Sequence, residues 1–142
     1  MADLEDAAEY QKFRPEIAPV HQPFWAAISE HRLELQRCDD CGRFRFIPSE
    51  ICPCGSAAST WTEVSGRGEV YTFTVVHRAP TPAYQQDAPY VIGHVTLDEG
   101  PRMISTLVDC APQEVRIGMR VEVAFDKVAP DLTLYHFRPT PA

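Results

Sequence analysis

Four of the chain's five cysteines fall in two short clusters, Cys38-Asp39-Asp40-Cys41-Gly42 and Cys52-Pro53-Cys54-Gly55, and no other feature restricts the fold as sharply. Each pair runs straight into a glycine, which tolerates the positive φ needed where a backbone curls its N–H groups toward a thiolate. Two such turns facing each other form a tetrahedral Cys38/Cys41/Cys52/Cys54 site, the usual arrangement for structural zinc. The first pair has the usual C-x-x-C spacing, but the second is C-x-C, one residue short. The tighter loop leaves fewer backbone donors for the sulfurs, which works against metal binding.

A disulfide framework, a redox pair and a ribbon that has lost its metal compete with this reading. Disulfides belong to oxidising compartments, and the opening Met1-Ala2-Asp3-Leu4-Glu5-Asp6 has neither a basic region nor an apolar core for secretion, so a cytosolic chain is expected. A redox C-x-x-C would open a helix beside a βαβ unit, whereas Cys41 leads into Gly42-Arg43-Phe44-Arg45-Phe46, which alternates like a strand. Cys110 stands alone and reads as an ordinary buried thiol.

The rest of the chain reads as strands, with one helix before the cysteines. Residues 1–20 are acidic, lack a sustained apolar face and are expected to form a mobile leader. Pro23 to Glu30 reads as a helix with Pro23 in its first turn and Phe24, Ala27 and Ile28 on one face. Leu33 to Arg37 alternates into the first cysteine pair and Arg43 to Ile47 toward the second, so residues 21–60 are read as a helix followed by a strand hairpin clasped at its ends. Residues 61–142 are read as a second unit of five strands: Gly68–Val76, Val91–Leu97, Arg102–Val108, Met119–Phe125 and Leu132–Phe137. Five strands with glycines at bending positions fit a small closed barrel of the OB type better than a sandwich. The fold class is thus mainly β: an N-terminal helix, a zinc ribbon, then a five-stranded barrel.

Composition bears on partners. Thirteen basic residues against twenty acidic give a net charge of −7, and residues 61–142 alone hold seven basic and ten acidic residues. Such a surface repels nucleic-acid phosphate, so no nucleic-acid partner is expected, although ribbons and OB barrels often serve that purpose and a nucleic-acid-binding protein is the rival reading. Tyr71 and Phe73 are there to stack on bases, but no basic groove accompanies them. Eleven of the thirteen cations are arginine, suited to planar recognition of single phosphates or carboxylates. No apolar run approaches membrane-spanning length.

Catalytic constellations are scarce: the chain has no G-x-S-x-G elbow, Walker loop or G-x-G-x-x-G. A third reading, a free-standing hydrolase or aldolase, requires His77, His94 and His136 to converge from their strands, and no catalytic residue is assigned. The proline-stiffened loop from Ala79 to Tyr90 offers Tyr84 and Tyr90 as contact area of low entropic cost. With Phe24 and Trp25, these two form the candidate ligand or partner surface, set against plainer roles as core caps and connector.

One ordered pattern runs through these elements: Phe24-Trp25, Leu33 to Cys41, Cys52-Pro53-Cys54-Gly55-Ser56, Trp61, Ser65 to Tyr71, Pro89 to Val91, Leu97 to Gly100, Ile117 to Val121 and Phe137 to Pro139. It resembles the family of small proteins with a rubredoxin-like zinc ribbon followed by an OB-fold, long catalogued as a domain of unknown function and associated with acyl-CoA metabolism. The resemblance spans residues 20–140, departing from the pattern only in the missing residue between Cys52 and Cys54. It implies structural zinc and an accessory role. Such proteins bind thiolase-like or hydroxymethylglutaryl-CoA-synthase-like enzymes, or acyl-CoA hydratases, and one branch partners sterol-carrier-type thiolases acting as aldolases in steroid side-chain degradation. The expectation that follows is an acyl-CoA-binding subunit of a thiolase-superfamily enzyme, hetero-oligomeric and not catalytic alone.

Overall fold

The computed structural model describes residues 10–141. A 3₁₀ turn at Pro19–His21 leads into helix α1, Gln22–Ser29, with Pro23 in the first turn, where its missing N–H costs nothing. Phe24, Ala27 and Ile28 are its buried residues, the i, i+3, i+4 stripe read from the sequence. The helix ends in a Schellman arrangement: His31 takes a left-handed φ of 59°, its N–H reaches Ile28 O and the Arg32 N–H reaches Ala27 O. His31 then stacks on Phe125 with ring centroids 5.2 Å apart, which ties the helix end to the barrel.

The ribbon is a three-stranded antiparallel sheet in the order β2-β1-β3, with β1 Glu34–Cys38, β2 Phe44–Arg45 and β3 Ser59–Glu63. The strand expected from Arg43 to Ile47 is only two residues long. In place of further pairing, the buried Gln36 amide holds the returning chain, donating to Ser49 O and accepting from Ser49 N at 2.9 Å each. Strand β3 runs across the expected division between residues 60 and 61.

The barrel comprises β4 Arg67–Val76, β5 Tyr90–Leu97, β6 Arg102–Leu107, β7 Arg120–Ala129 and β8 Leu132–Pro139, closed in the order β4-β5-β6-β8-β7. This is the five-stranded Greek-key closure of an OB-fold. Its weakest seam is the parallel junction of β6 and β8, paired at Leu107 and Phe137 and reinforced by Val108 N to Phe137 O at 2.8 Å. Side chains add two bonds across the seam: Ser105 Oγ donates to Tyr135 O at 2.7 Å, and Tyr135 Oη donates to Ile104 O at 3.1 Å. Gly68 is required where β4 crosses β5, because a Cβ there would sit 2.3 Å from Thr96 O.

Alternation along the strands sends Val70, Val91, Val95, Leu97, Met103, Val121 and Phe137 inward. The same cluster includes Phe24 and Ile28 of α1 and Leu33 and Leu35 of the ribbon, so helix and ribbon share the barrel's core. Of the leader expected to be mobile, residues 1–9 lie outside the described residues, whereas residues 10–20 lie along the barrel. Lys12 pairs with Asp87 and Arg14 with Asp131 there. The proline loop contains a single helical turn, α2, Pro82–Gln85, held by Gln85 Oε1 accepting from Ala79 N at 2.8 Å. Among the described residues, no helix is long and apolar enough to cross a membrane.

Candidate metal centre and aromatic cleft

The two cysteine turns meet at the end of the ribbon. Cys38 closes β1, and its carbonyl accepts from the Gly42 N–H at 2.9 Å across the first turn. In the second turn the Cys52 carbonyl accepts from the Gly55 N–H at 2.8 Å. Gly42 and Gly55 have φ of 75° and 95°, the left-handed region that motivates glycine at both positions. The four Sγ atoms all lie within 4.8 Å of one another, with Cys38–Cys54 and Cys41–Cys52 each at 3.6 Å.

That spacing separates the competing uses of the thiols. A disulfide needs about 2.05 Å between sulfurs, and all five cysteines are free. A zinc ion with sulfurs at about 2.3 Å in tetrahedral geometry places them about 3.8 Å apart, close to what is found. The donor set therefore fits structural zinc. In the first turn the Cys41 N–H bonds the Cys38 sulfur at 3.5 Å. The Cys41 N–H, with that of Asp40, holds the Cys38 thiol down at about 6 against burial. At Cys54 the Ser56 N–H pulls downward, but the neighbouring thiols of Cys52, Cys38 and Cys41, with burial, push it up to about 12. Cys38 and Cys52 are buried and Cys41 and Cys54 exposed, so one flank of the cluster faces solvent.

The other candidate residues divide. Phe24 is 2% exposed, wedged edge-on between Trp25 at 5.3 Å and Tyr135 at 5.6 Å, so it is a core residue with no free face. Trp25, Tyr84 and Tyr90 come together as walls of a cleft of about 670 Å³ outside the barrel seam. Tyr84 and Tyr90 tilt against each other at 6.3 Å between centroids. Tyr10 and Lys12 also line it, Lys12 lying over the Tyr84 ring; the sequence did not mark them because the leader carries no periodic pattern. Of His77, His94 and His136, only His136 is in the cleft wall; His77 falls just past the end of β4 rather than in a strand. The His136 Nε2 lies 3.1 Å from Asp126 Oδ2, and its Nδ1 is buried without a partner. Cys110, read as a plain buried thiol, is half-buried in the cleft wall, and burial pushes its thiol up.

A four-thiolate ribbon welded to a five-stranded Greek-key barrel defines a zinc-ribbon protein with an OB-fold. Residues 25–60 match the family model described as ChsH2, rubredoxin-like zinc ribbon domain, and residues 61–126 match ChsH2, C-terminal OB-fold domain. The chain belongs to this family. It is 43% identical over 110 residues to a DUF35 domain-containing scaffold protein of Methanocaldococcus jannaschii, covering 75% of this chain and 77% of the relative. It is 39% identical over 127 residues to a probable enoyl-CoA hydratase alpha subunit of Thermomonospora curvata, and 35% identical over 117 residues to the 3-oxo-4,17-pregnadiene-20-carboxyl-CoA hydratase alpha subunit of Mycobacterium tuberculosis. Those matches take in 89% and 82% of this chain, but the chain spans only 39% and 36% of the two subunits. Among solved structures, a chain of an Ltp2-ChsH2(DUF35) aldolase superposes with a TM-score of 0.81 at 39% identity, covering 89% of this chain and 98% of that one.

Proposed function

We propose that this chain is an accessory subunit that docks on a thiolase-superfamily enzyme and helps hold its acyl-CoA substrate. The observation that carries the reading is the likeness to the chain of the Ltp2-ChsH2(DUF35) aldolase, which extends over almost the whole of both chains. The hydratase alpha subunits add support for acyl-CoA chemistry, the steroid named for the mycobacterial relative favours a bulky acyl group, and the aldolase named for the similar structure favours a retro-aldol partner reaction. Zinc, held by Cys38, Cys41, Cys52 and Cys54, has the structural task of fixing the ribbon, since four thiolates leave no open coordination position for a substrate.

The ribbon tip suits docking. Ile47 and Ile51 lead into the second cysteine turn at 63% and 56% exposure, and Ile51 adjoins a metal-stiffened turn that loses little entropy on binding. The acidic balance argues against the nucleic-acid alternative. Co-expression with a thiolase-like protein encoded beside it, followed by size-exclusion chromatography and turnover of a bulky acyl-CoA, tests the proposal. Co-elution with turnover that needs both chains is expected. Separate elution, with full activity in the thiolase-like protein alone, rules the accessory role out.

A further inference from the structure

The cleft has walls of one chemical kind and a charge that selects against half of an acyl-CoA. Trp25, Tyr84, Tyr90, Ile92, Val108 and Leu134 supply broad apolar faces, and its volume of about 670 Å³ lies in the range of small-molecule sites. One lysine, Lys12, and three aspartates, Asp87, Asp109 and Asp126, line it. Lys12 is already bonded to Asp87 and sits over the Tyr84 ring at 5.3 Å, so no cation is free to meet a phosphate. Anionic adenosine phosphates entering here would face the carboxylates of Asp109 and Asp126.

We infer that this cleft takes the neutral, apolar ring body of the acyl group, while the phosphate-bearing part of coenzyme A stays outside it. The inference rests on the acyl-CoA reading above and adds which part of the substrate this chain holds, and where. A broad fused-ring body matches these walls, because Tyr84, Tyr90 and Trp25 offer large apolar faces to bury it against. Ser105 and Thr106 add hydroxyl groups to the lining, and the His136 ring stands beside them with its Nε2 3.1 Å from Asp126 Oδ2. The segment carrying Tyr10 and Lys12 also lines the cleft and is held by exposed ion pairs to Asp87 and Asp131, contacts weak enough to open for entry.

The test uses the full, zinc-loaded chain carrying Trp61→Phe, which leaves Trp25 as the reporting tryptophan. Progesterone is the neutral ring probe and free coenzyme A the anionic one. Saturable change of Trp25 fluorescence with progesterone is expected, undiminished by a tenfold excess of coenzyme A, and weakened at least tenfold by Tyr84→Ala, a half-exposed position on α2. In a second measurement on the unmodified chain, progesterone-induced amide shifts should cluster at residues 84–92, 106–110 and 134–136 and spare the ribbon. Absence of saturation, displacement by coenzyme A, binding unchanged in Tyr84→Ala, or shifts confined elsewhere would each overturn the inference. Complex formation is read separately by chromatography: a complex that forms without progesterone binding defeats this inference alone, and progesterone binding by a chain that elutes alone defeats the docking proposal alone.

Discussion

Ribbon and barrel reach order by different physical routes. The barrel is closed by ladder hydrogen bonds and filled by alternate strand residues, with Val95, Val121 and Phe137 at 0% exposure. The ribbon has one five-pair ladder between β1 and β3, a two-residue strand on the other side of β1 where a buried amide replaces further pairing, and sulfur ligands at its tip. Its own apolar contribution, Leu33 and Leu35, is spent on the barrel's core rather than on a separate one. One unit is thus held together by burial along its whole length, the other by burial at its base and coordination at its tip.

Metal removal should separate the two most strongly. Purified chain is expected to carry about one zinc per chain by elemental analysis, because four thiolates close one tetrahedral site. Structural zinc contributes about 10–16 kcal/mol in zinc-finger peptides at neutral pH, so chelation or Cys52→Ser should melt β1–β3 amide signals while the barrel's strand signals persist. A metal-free chain with its ribbon intact would break the comparison. Next in size is Phe137→Ala at the barrel seam, expected to cost about 3–5 kcal/mol in denaturant unfolding. The thiolate absorption of a cobalt-substituted ribbon should stay unchanged in the folded variant, and loss of that signal would show the metal site depends on the seam.

Gln36→Ala strikes the ribbon without touching the metal. It leaves Ser49 N without its partner and Ser49 O with Arg45 Nη2 alone, an expected loss of about 1–3 kcal/mol, visible as faster hydrogen exchange in residues 34–51 with barrel exchange unaltered. The smallest effect is electrostatic. The Arg120 guanidinium donates to both Asp98 carboxylate oxygens at 2.9 Å and holds that carboxyl below its ordinary range. A depressed carboxylate stabilises the fold above the unfolded-state pKa and loses that contribution as pH falls through the folded value. Both groups are about half exposed, so solvent and salt limit the effect to below about 1 kcal/mol. Asp98→Asn should lower the thermal midpoint slightly at neutral pH and not at all under strongly acidic conditions; equal differences at both would assign the effect to packing.

Much of this architecture was legible in local pattern. The cysteine turns with their glycines, the Phe24/Ala27/Ile28 stripe and the alternation of the five barrel strands each report a backbone geometry within a few residues. The readings that needed adjustment depend on distant partners. The strand expected to reach Ile47 stops at Arg45 because Gln36 captures Ser49 instead. Residues 10–20 carry no periodicity, yet lie along the barrel through partners 75 and 117 residues away.

What the sequence by itself determined is the inventory: a four-thiolate ribbon, a barrel of five strands, an acidic surface and a scarcity of catalytic groups. Those follow from residue types and spacings of two to four, which fix local turns, periods and charge. Only the tertiary structure decided that Phe24 is sealed in the core while its neighbour Trp25 faces a cleft. It also decided that Tyr84, Tyr90 and His136 share that cleft, and that ribbon and barrel are filled from one core. The physical reason is closure. Which side of a strand faces a cavity depends on how β6 meets β8 around the barrel, a contact between segments about thirty residues apart that no local pattern encodes.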